Sequence, residues 1–162
     1  MKNIFYVLTF GVMMVAASSC TEKIEPKPFT YSQLLTGTEK KTWTLSSATI
    51  VDEGDKFDIP GRELLSACQL DDQFIFYANE ERKLEYSNGS TKCRTTEPDL
   101  LFTDSWELTQ ANATLVMAIP RIFGGFLVPF TVKTLSENTL VLEVFFDDID
   151  ASYRFTFTSS SK

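Results

Sequence analysis

The sequence predicts an all-β chain: about eight strands in an antiparallel up-and-down barrel behind a short N-terminal helix, with a β-sandwich as the alternative. Three observations predict it. Apolar residues alternate with period two in run after run, the mark of strands that bury one face. Most links between runs are of hairpin length. Nearly every run also carries an aromatic or large aliphatic residue on its apolar face, so closure into a small barrel would fill the interior and remove exposed edges.

Taken in order, residues 29–37 contain Tyr31-Ser32-Gln33-Leu34-Leu35-Thr36, and Gly37 supplies a stop signal, so a short helix is expected. Residues 41–51 alternate around Trp43 and Leu45 as a first strand. Residues 52–61 are read as an acidic loop closed by Pro60-Gly61. Residues 73–77 and 83–87 form a hairpin whose matched apolar faces pair Phe74 with Tyr86 and Phe76 with Leu84. Asn88-Gly89 marks a turn. Residues 105–109 around Trp106 give a fourth strand, and residues 114–119 a fifth, with Leu115, Met117 and Ile119 on one face. The sixth, residues 126–135, alternates Phe126, Val128, Phe130 and Val132. Pro129 has no N–H for a ladder and predicts a bulge or an opening there. Residues 139–146 make the seventh, and Tyr153, Phe155 and Phe157 line the eighth.

Trp43, Phe74, Phe76, Tyr86, Trp106, Met117, Phe130, Phe146, Phe155 and Phe157 are the bulky inward positions. They predict a filled core or a shallow pocket at one mouth, not a deep calyx.

The chain's start has a different character. Lys2 precedes an apolar stretch over residues 4–17, shorter than the roughly 20 residues of a membrane-crossing helix. A positive start, a short apolar centre and small residues at its end describe a secretory signal peptide. Ala17-Ser18-Ser19-Cys20 further resembles the bacterial lipobox, in which the cysteine receives a diacylglycerol and becomes the new N-terminus. An ordinary signal peptide with a stray cysteine is the alternative. Residues 1–19 are thus expected to be a lipoprotein signal peptide and residues 20–28, with Pro26 and Pro28, a tether from lipid to domain. Residues 29–162 are the domain. Acyl chains contribute about 0.8 kcal/mol of membrane affinity per buried methylene, which would hold Cys20 durably at a membrane.

Cys68 and Cys93 remain as an even pair. Exported cysteines in an oxidising compartment favour a disulfide. The geometry agrees: the two cysteines lie one residue out of register with the Phe74–Tyr86 hairpin, where that hairpin opens.

At this point the residues resemble the lipocalin-like lipoproteins of Bacteroidota. The resemblance runs through Leu35-Thr36-Gly37 with Lys41-Thr42-Trp43-Thr44-Leu45. It continues through the segment from Cys68 to Phe76 and Cys93, then Trp106-Glu107-Leu108, Phe130-Thr131-Val132 and Thr139-Leu140-Val141-Leu142. It implies a helix-started, eight-stranded barrel with a tryptophan in its first strand, and a place in the cell envelope at the outer membrane. In lipocalins a late-strand arginine packs across that tryptophan, a role that would fall to Arg154. Here Gly37 and Trp43 stand further apart than lipocalins place them, so the kinship is loose.

The chain contains no histidine, which removes Ser-His-Asp and Cys-His machinery and the commonest metal ligand. No Gly-rich phosphate loop appears. A net charge of −7 argues against nucleic acid. The acidic runs 52–58 and 147–150 lack EF-hand spacing and read as turns, so no metal or cofactor is expected. One link is unusual: Ile119-Pro120-Arg121-Ile122-Phe123-Gly124-Gly125-Phe126 is apolar and glycine-hinged where loops are ordinarily polar. Arg121, Ile122, Phe123 and Phe126 are therefore the candidate ligand or partner residues; alternatively, Ile122 and Phe123 fold back to plug the mouth. The expected function is non-enzymatic: binding of a small apolar or glycan ligand at the barrel mouth. The alternative is a solid barrel that docks an envelope protein partner.

Overall fold

Alternation over so many runs becomes one antiparallel sheet in the computed structural model, which describes residues 29–159. The expected signal peptide (residues 1–19), Cys20 and the expected tether (residues 20–28) lie outside the described residues. Thr30 and Gln33 form a reciprocal cap, the Thr30 hydroxyl accepting from the Gln33 N–H at 3.3 Å and the Gln33 side chain from the Thr30 N–H at 2.9 Å. They start helix α1 (Tyr31–Thr36), and Gly37, at φ 66°, ends it.

The strands follow as β1 (Lys40–Asp52), β2 (Asp55–Ile59), β3 (Gln73–Tyr77), β4 (Lys83–Ser87), β5 (Leu100–Ser105) and β6 (Glu107–Thr109). After them come β7 (Thr114–Ala118), β8 (Leu127–Leu135), β9 (Thr139–Phe146) and β10 (Ala151–Thr158). Two short helices interrupt them, α2 (Gly61–Leu64) and α3 (Pro120–Phe123).

Nine strands pair in the order β5-β4-β3-β1-β10-β9-β8-β7-β6, and β2 adds to β1. The two ends of this path, β5 and β6, are consecutive in the chain and separated by Trp106 alone. The sheet therefore curls into a nearly closed barrel in which most strands pair with a neighbour in sequence, and β1 joins β3 to β10. The predicted all-β, up-and-down architecture holds, and one continuous sheet replaces the two of a sandwich.

The expected hairpin pairing is found, Phe74 opposite Tyr86 and Phe76 opposite Leu84. Two strands depart from expectation. The acidic loop holds β2, which pairs with the far half of β1 from Ala48↔Ile59 to Asp52↔Asp55. The fourth strand is the second half of a longer one: β5 precedes it and pairs with β4, and the chain changes partner at Trp106. The opening suggested by Pro129 is also present. Residues 127–131 pair with β7, whereas the ladder to β9 runs only from Thr131↔Glu143 to Leu135↔Leu140.

The interior is filled. Trp43, Phe76, Phe130, Phe155, Phe157, Leu84, Leu115, Met117 and Leu142 are all buried, among them most of the bulky positions expected inside. Helix α1 seals one end. The Trp43 indole N–H donates to the Leu35 carbonyl at 2.8 Å, satisfying a carbonyl that the helix end leaves free. Lys41, rather than Arg154, lies over the Trp43 ring, at 4.6 Å from its centroid. It also donates to the Leu34 carbonyl at 2.8 Å and to the Glu137 carbonyl. Arg154 instead pairs with Glu143 on the neighbouring strand, at 2.8 and 2.5 Å.

Candidate functional site

The opposite end of the barrel, the mouth, is built around α3. Pro120 takes the first helical position, where its missing N–H costs nothing. Gly124 ends the turn in the left-handed region at φ 66°, donating its N–H to the Pro120 carbonyl at 3.0 Å, and Gly125 follows at φ 82°. This double reversal turns Phe123 inward. Its ring sits 5.9 Å, centroid to centroid, from each of Phe130, Phe146 and Phe155, with Phe146 stacked and Phe155 edge-on. Tyr153 meets Phe146 edge-on at 5.4 Å.

Above this cluster is a recess of about 320 Å³ lined by Leu64, Ile122, Phe123, Phe146, Asp148, Ile149 and Tyr153. Among the described residues that line it, Asp148 is the single charged one, and the Tyr153 hydroxyl is the other polar side-chain group. Its size is at the lower end for small-molecule sites, and its apolar lining with few polar groups has their composition.

The four candidate residues of this loop are separated by the fold. Ile122 and Phe123 form part of the recess and pack on the core. Arg121 faces a different, much smaller void, shared with Asp72, Tyr86, Gln69 and Phe74. Phe126 is 76% exposed, outside the recess and off the inward row that its spacing with Val128 suggested. Leu64, Phe146, Asp148, Ile149 and Tyr153 were not singled out as a site from sequence. Phe146 and Tyr153 carried a signal as inward aromatics, whereas Asp148 and Ile149 looked like turn residues and Leu64 like part of a link.

The small void borders a buried polar cluster. Asp72 is buried, and one of its carboxylate oxygens accepts the Tyr86 hydroxyl; the other has no hydrogen-bond partner among the described residues. Burial pushes the Asp72 carboxyl above the ordinary carboxylate range, against the opposing hydrogen bond from Tyr86 and the charge of Arg121. Burial and the Asp72 contact likewise push the Tyr86 phenol up.

Neighbouring Asp71 behaves oppositely. Its carboxyl is held below the ordinary range by the Ser90 hydroxyl at 2.6 Å, with help from the N–H groups of Ser90 and Thr91. Those bonds fasten the long 88–99 connection to β3. Cys68 and Cys93 fasten it again: they meet as a disulfide-capable pair with Cα atoms 5.1 Å apart.

A larger groove of about 490 Å³ lies at the helix-capped end, lined by Thr30, Gln33, Asn79, Arg82 and Trp106 among others. It is open and polar, and its side chains already serve local bonds: Gln33 caps α1, Asn79 accepts from the Lys83 N–H at 3.0 Å, and Arg82 pairs with Glu107 at 3.0 Å. The mouth recess is the better candidate because its walls are aromatic and converge. Among the described residues no three acidic or cysteine side chains gather in a metal-binding arrangement, and no helix is long and apolar enough to cross a membrane. A scan against protein-family models finds no matching family, and a search of curated proteins finds no match to the chain.

Proposed function

We propose that the protein is a lipid-anchored, non-enzymatic, lipocalin-like binding module of the cell envelope, which holds a small apolar molecule in the mouth recess. The recess itself carries this reading: aromatic side chains of three separate strands and loops converge on a space the core does not fill. A glycan fits less well, because one carboxylate and one phenol hydroxyl are few partners for a polyhydroxylated ligand. The anchor reading rests on the apolar start and Cys20 in its small-residue setting. Export would oxidise Cys68 and Cys93 to a disulfide. A non-enzymatic role is consistent with a chain that has no histidine.

A second reading, docking of an envelope protein, is favoured by Phe126 and Leu127. These consecutive large apolar residues are 76% and 48% exposed beside the mouth.

Native mass spectrometry of protein purified from its host separates the two. A co-purifying small mass that is lost in Phe123→Asp supports the first reading, and a co-purifying polypeptide supports the second. Metabolic labelling with a clickable fatty acid tests the anchor. Label is expected in the wild type and absent in Cys20→Ala; equal labelling of both would overturn the assignment.

A further inference from the structure

We infer that the ligand of the mouth recess is an organic cation, an apolar body carrying an ammonium or quaternary ammonium group. This rests on the reading of the recess as a ligand site and specifies its chemistry. Three aromatic rings, Phe123, Phe146 and Tyr153, line one small space together with one charged residue, and that residue is the carboxylate Asp148. Aromatic faces attract cations through the ring quadrupole, and the attraction grows as water is excluded.

Among the described side chains, no basic one lines the recess. Arg121, close by in sequence, is directed to Asp72 and Tyr86 instead.

The wider field has the same sign. The β1–β2 turn carries Asp52, Glu53 and Asp55, and the β9–β10 turn carries Asp147, Asp148 and Asp150. The two turns are neighbours, because β1 and β10 pair up to Val51↔Ser152. Lys56 is the basic residue of the β2 hairpin. It pairs with Val51, one position off the row that joins Phe57, Ile50 and Tyr153. Six carboxylates at adjacent turns of one barrel end, on a chain of net charge −7, draw cations toward the mouth and repel anions. Aromatic walls with an acid as the one charged group among the described lining residues are the features a cation selects for, and a fatty acid or other anion would face that carboxylate.

The test uses the full chain and three probes of similar size: hexyltrimethylammonium, nonan-1-ol and nonanoate, each titrated by calorimetry. Hexyltrimethylammonium is expected to bind about tenfold tighter than nonan-1-ol, with nonanoate weakest. Asp148→Asn should cut the affinity for the cation about threefold more than that for nonan-1-ol. Tyr153→Leu should erode the preference for the cation while retaining the alcohol, with circular dichroism reporting that both variants fold. Equal or tighter binding of nonan-1-ol or nonanoate would overturn the cation assignment and leave the apolar-ligand reading standing. Failure of all three probes to bind the wild type would overturn both.

Discussion

The two ends of the barrel are each stoppered by an aromatic side chain, and they are held in different ways. At the helix end Trp43 is fully buried and fixed by direction: its indole N–H meets the Leu35 carbonyl, and Lys41 covers its face while bonding two further carbonyls. At the mouth Phe123 is only partly buried and touches other rings, with no polar atom to set its place. Hydrogen bonds specify one arrangement, whereas ring packing of this kind tolerates several. The Trp43 side chain is held by a directed hydrogen bond, and the Phe123 side chain by ring packing.

The comparison breaks most visibly at Trp43. Trp43→Ala removes a large buried side chain and orphans the Leu35 carbonyl, so a loss of about 3–5 kcal/mol is expected, read as a lower urea midpoint. An unchanged midpoint would mean that the helix end is not the structural one.

Next in size is the covalent staple near the mouth. Cys68→Ser with Cys93→Ser releases a loop with a sequence separation of 25, worth about 3–4 kcal/mol if the pair is oxidised. The same loss should follow reduction of the wild type, and intact mass with an alkylating reagent checks the oxidation state directly.

Phe123→Ala should cost less, about 2 kcal/mol, because the ring is half-buried and its site already borders the recess. A cost as large as that of Trp43→Ala would erase the contrast between the ends.

The smallest expected effect is electrostatic. The Asp71 carboxyl titrates lower in the folded than in the unfolded chain, so its stabilisation is complete above about pH 4 and is lost as pH falls through the lowered value. Buried Asp72 acts in the opposite sense: its raised value favours the folded state at acid pH and withdraws that support as pH rises. Urea midpoints measured down to about pH 3 should therefore fall less steeply for Asp71→Asn than for wild type, and more steeply for Asp72→Asn.

How much of this was legible in the sequence follows from how local each signal is. The β3–β4 hairpin could be placed to the residue, since Phe74, Phe76, Leu84 and Tyr86 must share a face and a slip of one would expose them all. Strand β2 escaped notice because Asp55, Lys56 and Asp58 leave it almost fully exposed, with no buried row to generate alternation. Strand β5 opens with Leu100-Leu101-Phe102, three apolar residues in succession, which breaks the period-two pattern. Phe126 kept the spacing of an inward residue, but the positive φ angles of Gly124 and Gly125 turn the chain just before it. The recess was least legible of all. Leu64, Phe123, Phe146, Asp148 and Tyr153 come from separate segments, and only the closing of the sheet brings them together.

The single-residue break at Trp106 has a consequence for how the chain reaches this shape. It divides the barrel into two contiguous half-shells, one running from α1 through β5 and the other from β6 through β10. The second half pairs hairpin by hairpin between sequence neighbours, whereas the first also joins β1 to β3 across β2, from Lys40↔Tyr77 to Thr44↔Gln73. The halves then meet along β1 and β10, a ladder that joins Thr44 to Thr158 and Val51 to Ser152. Among the described strand pairs that seam has the longest sequence separation, so joining the halves carries the largest loop-closure cost of any pairing in the barrel.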